Sequence, residues 1–411
     1  MSSSTWILLG VVALIGLLRA FWNIPISYNI RSLAVRKTTT IASALGIALV
    51  VFVLASSQML SRGIKKTMGS SGSADKAFVL RKGADAELSS AIDVAQIGLV
   101  LAGPGVKRGP NGEPLGTGEV LLVIALEKPG TGGQVSNVQL RGVTDNVMQV
   151  RPEVRLVAGR PAKPGTDEVL IGARLRGQFK GLEIGQSFEI KKNRMVEVVG
   201  VFEAGGSSFE SEIWADANTA RTAFGREGLV QSITATLEDA SKLEAFKNAI
   251  ESDKQLNMQV MPEIEYFEKQ SEGTAQLVNV LGGAIVFFFS LGAMVGAMIT
   301  MYGAVANRRR EVGTLRALGF SRPAILLSFL TEALLLALFG GTLGALASLA
   351  MGFVKLRMMN MNTWSEVVFS FDPAPSVILV SILGGGLMGI LGGMLPAVRA
   401  ARTSPVAAMR D

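Results

Sequence analysis

Four stretches of this chain are too long and too apolar for an ordinary water-soluble core. Residues 41–60 (IASALGIALVVFVLASSQML) carry no charge. Residues 277–306, residues 324–354 (with Glu332 as the one acid) and residues 376–396 follow the same pattern. A bilayer core of about 30 Å takes about 20 mostly apolar residues as a helix, since a backbone in lipid must satisfy its own hydrogen bonds. The pattern predicts an integral membrane protein with a core of four transmembrane helices. Glycines recur in the last three stretches, at Gly292, Gly296 and Gly303, at Gly340, Gly341 and Gly344, and from Gly384 to Gly393. Small residues let helix backbones approach closely in lipid, so these read as packing positions rather than a pathway.

A fifth apolar stretch, residues 6–22, is shorter and interrupted by Arg19. It lacks the basic leader of a cleaved signal peptide, which leaves an extra span or an interface helix. The N-terminal segment, 1–28, is therefore set apart from the lead-in helix and first core span at 29–60.

The formal charge of +7 is uneven. Residues 61–276 hold 26 Lys+Arg against 28 Asp+Glu, a net of −2. The excess lies at Arg19, Arg31, Arg36 and Lys37, at Arg308, Arg309, Arg310, Arg316 and Arg322, and at Arg399, Arg402 and Arg410. If four spans alternate, these stretches share one face, which the positive-inside rule makes cytoplasmic. Residues 61–276 then form a large outer domain, and residues 355–375 a short outer loop. No basic patch has interleaved aromatics, so nucleic acid is not an expected partner.

The sequence has no His and no Cys. That removes Cys/His metal sites, thiol nucleophiles, Ser-His-Asp triads and disulfides. No nucleophile motif, cofactor motif or EF-hand loop is present, and no catalytic residue is assigned. There is also no G-x-x-x-x-G-K-[ST] phosphate loop, so any ATP dependence is expected to come from another chain.

Within the outer domain, residues 167–228 read most clearly as an inserted α/β module. EVLIG, SFEIK, RMVEVVGVFEA and EIWAD alternate as strands, and ARLRGQF and ANTARTAF read as helices. VLLVIAL, VQLRGV, ITATLED and NMQVM supply flanking strands of an α+β domain, with SKLEAFKNAIES as a helix. Residues 103–118 (GPGVKRGPNGEPLGTG) read as a mobile surface loop. Residues 61–68 continue the first span outward and residues 263–276 lead into the second. Trp364, Phe369 and Phe371 in the outer loop read as interfacial anchors.

The turn NRRREVGTLRALGFS, residues 307–321, reads as a short amphipathic helix along the cytoplasmic face. Val312, Leu315 and Leu318 recur at helical spacing, Arg316 points elsewhere, Gly319 stops the helix and Pro323 starts the next. An ordinary topogenic loop is the plain alternative, but a compact helix with a glycine stop suits partner docking. Glu332, near the cytoplasmic end of its span, reads as an acid that reaches the interface or bonds a neighbouring helix.

This turn and the closing LPAVRAARTSPVAAMRD resemble the MacB/FtsX/LolC class of ABC transporter permeases. NIRSLAVRKTTTIASALGIALVVFVLASS looks like that class's lead-in helix and first span, and residues 167–228 resemble the smaller subdomain of its periplasmic region. The resemblance covers nearly everything from about residue 29. It implies a multi-pass protein of the bacterial inner membrane, with residues 61–276 periplasmic and residues 277–411 holding the second to fourth spans. It implies a homodimer or paired permease, with a separate ABC ATPase subunit below that carries ATP and Mg²⁺. Movement would pass through stalk helices to the periplasmic domain, termed mechanotransmission. The resemblance puts ATPase coupling at Arg309, Arg310, Glu311, Gly313, Leu315, Arg316, Ala317, Leu318 and Gly319. Members of the class export or extract amphipathic or lipid-linked substrates, some with a periplasmic adaptor and an outer-membrane channel. Others release lipoproteins or, as FtsX-like regulators, control cell-wall hydrolases. FtsX-type outer domains are much smaller than this one, which favours transport.

Overall fold

The computed structural model describes residues 30, 31, 33, 35–360 and 362–404; the apolar segment 6–22 and the end of the C-terminal motif lie outside them. The chain divides into two compact units. One comprises residues up to 62, 277–354 and 371 onward; the other comprises 63–276 with 355–370.

The second unit is built on a ten-stranded mixed sheet. Its strands are β1 (Lys76–Arg81), β2 (Gly116–Glu127), β3 (Val135–Val143), β4 (Arg155–Gly159), β5 (Glu168–Gly172), β6 (Ser187–Lys191), β7 (Arg194–Glu203), β8 (Glu212–Asp216), β9 (Ser232–Thr236) and β10 (Met258–Pro262). Their order is β10-β1-β9-β2-β3-β8-β5-β7-β4, with β6 paired to β7. The pairs β3–β8 and β5–β7 are parallel. The strands of residues 167–228 thus continue the sheet of the flanking strands. β2 is buried along nearly its whole length, which explains its unbroken apolar run in place of strict alternation. Helix α2 (Ala217–Phe224) starts where the Asp216 carboxylate accepts from Thr219 N at 2.9 Å and ends at Gly225, φ 65°. Helix α3 is Leu243–Ser252.

Three local expectations need correction. ARLRGQF forms successive turns. Ala173 N and Arg174 N bond Phe202 O and Glu210 O, at 2.9 and 3.0 Å, and Gly177 takes φ 68°. Donors committed to neighbouring strands cannot propagate a helix. Residues 103–118 are tied down: Lys107 N bonds Thr236 O at 2.8 Å, Leu115 N bonds Lys107 O at 2.7 Å, and Leu115 is buried. Phe369 is 1% exposed, a core residue of this unit and no interfacial anchor. It lies in a hairpin of β11 (Lys355–Asn360) and β12 (Ser365–Ser370) that hydrogen-bonds within the unit. Asn137 Nδ2 donates to Trp364 O at 2.8 Å, Val368 N to Ser211 Oγ at 3.2 Å, and Lys128 pairs with Glu366 at 2.6 Å.

Among the described residues, four helices are long and apolar enough to cross a membrane: α1 (Lys37–Gly69), α4 (Glu263–Asn307), α6 (Arg322–Ser348, running on to Phe353 as 3₁₀ turns) and α7 (Pro375–Ala401). Between α4 and α6 lies α5 (Arg309–Ala317). The boundary between the units falls inside α1, after Arg62, and inside α4, after Gln276. In the first unit, Gly340 and Gly344 of α6 lie against the backbone of Ala44 and Ala48 of α1, and Gly389 and Gly393 of α7 lie against Ala337 and Ala333. These glycines serve packing. Gly292, Gly296 and Gly303 of α4 instead have nothing within 4 Å of where a Cβ would stand. α4 is the most exposed of the four helices; Phe287, Phe288 and Ile299 are among its bare side chains.

Candidate functional site

The α4–α6 turn is short, defined at both ends and built from charge on an apolar floor. Glu311 in the first turn of α5 and Arg316 in the last suit the helix dipole. Arg308 Nε reaches Glu311 Oε2 at 3.1 Å. At the far end Gly319 takes φ 96°. Its N–H bonds Arg316 O at 3.2 Å while Phe320 N bonds Leu315 O at 3.1 Å, the two bonds of a Schellman motif. A residue with a Cβ adopts that φ at a cost, so the glycine stop is a requirement of the turn. Ser321 Oγ then accepts from Ala324 N at 3.3 Å, and Pro323 opens α6.

Val312, Leu315 and Phe320 pack onto a cluster containing Val305, Ile325, Phe329 and Ala397. Gly313 is buried, and Leu315 and Arg316 are half-buried. Arg316 Nη1 donates to Phe320 O at 2.9 Å and braces the turn. Arg309, Arg310, Glu311, Ala317, Leu318 and Gly319 are exposed. Leu318 departs from expectation: it is 73% exposed and does not join the floor, because the Schellman turn carries Phe320 into that place. The predicted residues therefore separate into buried Val312–Gly313 with Leu315 and Arg316 as scaffold, and an outward rim of charge around one bare leucine.

Beneath the rim, Glu332 of α6 is 1% exposed and paired twice. Arg308 Nη1 lies 2.9 Å from its Oε2, and Arg36, just before α1, pairs with its Oε1. The Arg308 guanidinium lies 5.6 Å from the centre of the Phe329 ring. Three separated segments thus meet on one carboxylate. No spacing in the sequence connects Arg36 to Glu332; the only signal was an acid inside an apolar run.

The sheet-bearing unit holds a second concentration of charge that sequence reasoning missed. Arg141 on β3 contacts Glu212 and Glu87 at 2.8 Å and Glu119 at 2.8 Å. Arg151 contacts Glu119 at 3.0 Å and Glu263 at 2.6 Å. Both guanidiniums lie over the Phe209 ring, at 5.4 and 4.5 Å. Ser232 Oγ donates to Glu87 and Trp214 Nε1 to Glu212, at 2.7 and 3.0 Å. Burial pushes Glu119 up, but the two arginines outweigh it and hold it below the usual carboxylate range. Burial wins at Glu212, which is raised despite Arg141. These carboxylates are engaged by guanidiniums, and no group of acids suited to a metal occurs among the described residues. The network ties β1-side loops, β2, β3, β8 and the start of α4 together; its chemistry is structural. Its one trace in the sequence was charge within otherwise apolar strands, at Glu119, Arg141 and Glu212.

Comparison with known proteins agrees with this architecture. The model of the MacB-like periplasmic core domain matches residues 38–253, and that of the FtsX-like permease C-terminal region matches residues 283–405. The macrolide export ATP-binding/permease protein MacB of Nitrobacter winogradskyi is 29% identical over 258 residues, covering 60% of this chain and 38% of that protein. An ABC transporter permease of Methanocaldococcus jannaschii is 26% identical over 243 residues, covering 56% of this chain and 58% of that protein. The chain thus spans less than two thirds of either relative's length. Among solved structures, the periplasmic region of MacB from Actinobacillus actinomycetemcomitans covers 48% of this chain and 93% of its own at 12% identity, TM-score 0.36. The extracellular domain of the transporter YknZ from Gram-positive bacteria covers 45% of this chain and 99% of its own at 17% identity, TM-score 0.35. With more than half of its residues matched by the periplasmic core model and its C-terminal third by the permease model, the chain belongs to the MacB/FtsX-like family of ABC transporter permeases.

Proposed function

We propose that this chain is the membrane subunit of a transporter of the bacterial inner membrane, in which α1, α4, α6 and α7 cross the bilayer. An ABC ATPase on a separate chain docks on the α5 turn. Two permease chains pair, and ATP-driven closure of the ATPases moves the periplasmic unit to export or extract an amphipathic or lipid-linked substrate. The observation that carries this reading is the α5 turn itself. It is a rigid, Schellman-capped helix with an outward rim of Arg309, Arg310, Glu311 and Leu318, braced from below by the Glu332 ion triad. The continuity of α1 and α4 across the unit boundaries supplies stiff connections for a displacement to travel. These 411 residues hold no phosphate loop of the Walker type, so this reading assigns nucleotide binding to a part of the transporter outside them.

The test is reconstitution with the cognate ATPase in proteoliposomes. Stimulated ATP hydrolysis is expected, together with co-purification of a lipid-linked or amphipathic cargo. Absence of any ATPase association would refute the coupling role. Co-purifying lipoprotein would define the substrate as lipoprotein, and a wall hydrolase without cargo would replace transport by FtsX-like regulation. Because the chain has no native cysteine, single introduced cysteines in residues 63–276 report sidedness directly. Labelling from the cytoplasm alone would overturn the orientation.

A further inference from the structure

Where the C-terminal end of α7 lies beside the end of α4, a cavity of about 570 Å³ opens. Its walls bring together Arg309, Arg399 and Arg402 with Tyr302, Ser404 and Val305, and among the described residues its charged side chains are all basic. The size falls within the roughly 300–1,000 Å³ typical of small-ligand sites. Arg399 lies with its guanidinium 5.6 Å from the centre of the Tyr302 ring, a contact that orients it. Three guanidiniums and several hydroxyls around one cavity offer the forked donors that suit a phosphate group.

Depth selects the kind of phosphate. α7 has 27 residues, roughly 40 Å at 1.5 Å per residue, which is about the thickness of a bilayer including its headgroups. Arg399 lies in its last turn and Arg402 caps it. Arg309 opens α5 just after α4 ends. The arginines therefore stand at headgroup level, and Val305 and Ala306 give the cavity an apolar wall. We infer that this cavity binds the phosphate headgroup of an anionic phospholipid, with the start of its glycerol and acyl portion against Val305 and Ala306. The inference rests on the reading of α4 and α7 as membrane-crossing. Because Arg309 serves both the cavity and the docking rim, a bound lipid would set the position of the first turn of α5.

The test uses the full chain in nanodiscs of equal parts phosphatidylcholine and phosphatidylglycerol, with retained lipid identified by native mass spectrometry. The wild type is expected to retain phosphatidylglycerol in preference to phosphatidylcholine. The double variant Arg399→Gln with Arg402→Gln should lose about tenfold of that retention. The pair Arg399→Lys with Arg402→Lys should keep most of it, which separates charge from fold. Inorganic phosphate added to the buffer should leave retention unchanged. Equal retention by the glutamine pair, or no preference over phosphatidylcholine in the wild type, would overturn the site. Displacement by inorganic phosphate would overturn the lipid assignment in favour of a soluble anion. Failure of the chain to enter nanodiscs at all would instead strike the membrane-crossing reading.

Discussion

Arg308 donates to Glu332 across 2.9 Å at a carboxylate that is almost entirely shielded from solvent. Arg36 shares the same acid. A buried charge keeps its place only while its partners remain, so removing the shared anion leaves two guanidiniums facing each other. Glu332→Gln is expected to lower stability by about 3 kcal/mol. Arg36→Gln, which removes one arginine partner of Glu332 from a less buried position, should cost less. Thermal unfolding of the detergent-solubilised protein checks both. Equal, negligible shifts would show the triad to be energetically idle.

The exposed and half-buried leucines of the turn should fail in different ways. Leu318→Asp places a charge on the rim without touching the core, so the melting temperature should hold while ATPase stimulation falls by about tenfold or more. Leu315→Asp buries a carboxylate against Phe320 and should destabilise the turn itself. Paired measurement of unfolding and stimulation separates them. A Leu318→Asp protein that stimulates normally would remove the leucine from the docking surface.

Glycines of the apolar helices should divide by what faces them. At Gly344 an added Cβ meets the backbone of Ala48, which cannot yield without parting α6 from α1. Gly344→Val is expected to abolish the folded monomer. Gly292→Val, with nothing within 4 Å, should fold normally. Size-exclusion profiles and thermal unfolding in detergent read the contrast.

The charge network predicts a pH dependence with two signs. Glu119 titrates lower in the folded protein than in an unfolded chain, where a Glu titrates near 4.3. Its contribution is therefore present above about pH 4.3 and lost as pH falls through the folded value. Glu212 is raised; its contribution is present below about pH 4.3 and lost as pH rises through its folded value. Glu119→Gln should thus be the more harmful change at pH 7 and should flatten the acid limb of the stability curve. Glu212→Gln should be milder at pH 7. Unfolding midpoints of the two variants from pH 3.5 to 8, a span set to bracket the ordinary carboxylate range, test this; the reverse ranking would refute it.

The apolar helices and most strands were legible because length and periodicity are local properties. Ile41 to Leu60 could belong to little else, and Gly319 and Pro323 announced their turn by backbone chemistry alone. What stayed hidden was set by partners far along the chain. ARLRGQF has helix-forming residues, but Phe202 and Glu210 claim its first donors. Phe369 reads as an aromatic near a membrane end until β12 places it in a core. Leu318 fits an apolar spacing that the reversal at Gly319 interrupts. Arg36 and Glu332, or Glu87 and Arg141, meet only after folding, and no local pattern encodes such a meeting.

The β11–β12 hairpin has a practical bearing on how this protein can be divided. Residues 355–370 stand between two long apolar helices in the sequence, yet Asn137, Ser211 and Lys128 bond to them. A soluble fragment cut at 63–276 would keep the ten-stranded sheet but lose the separate hairpin bonded to it, leaving Ser211 and Lys128 to water and uncovering the apolar surroundings of the buried Phe369. Any binding measured on such a fragment would include an artificial sticky face, and grafting the hairpin back through a short linker would be the remedy.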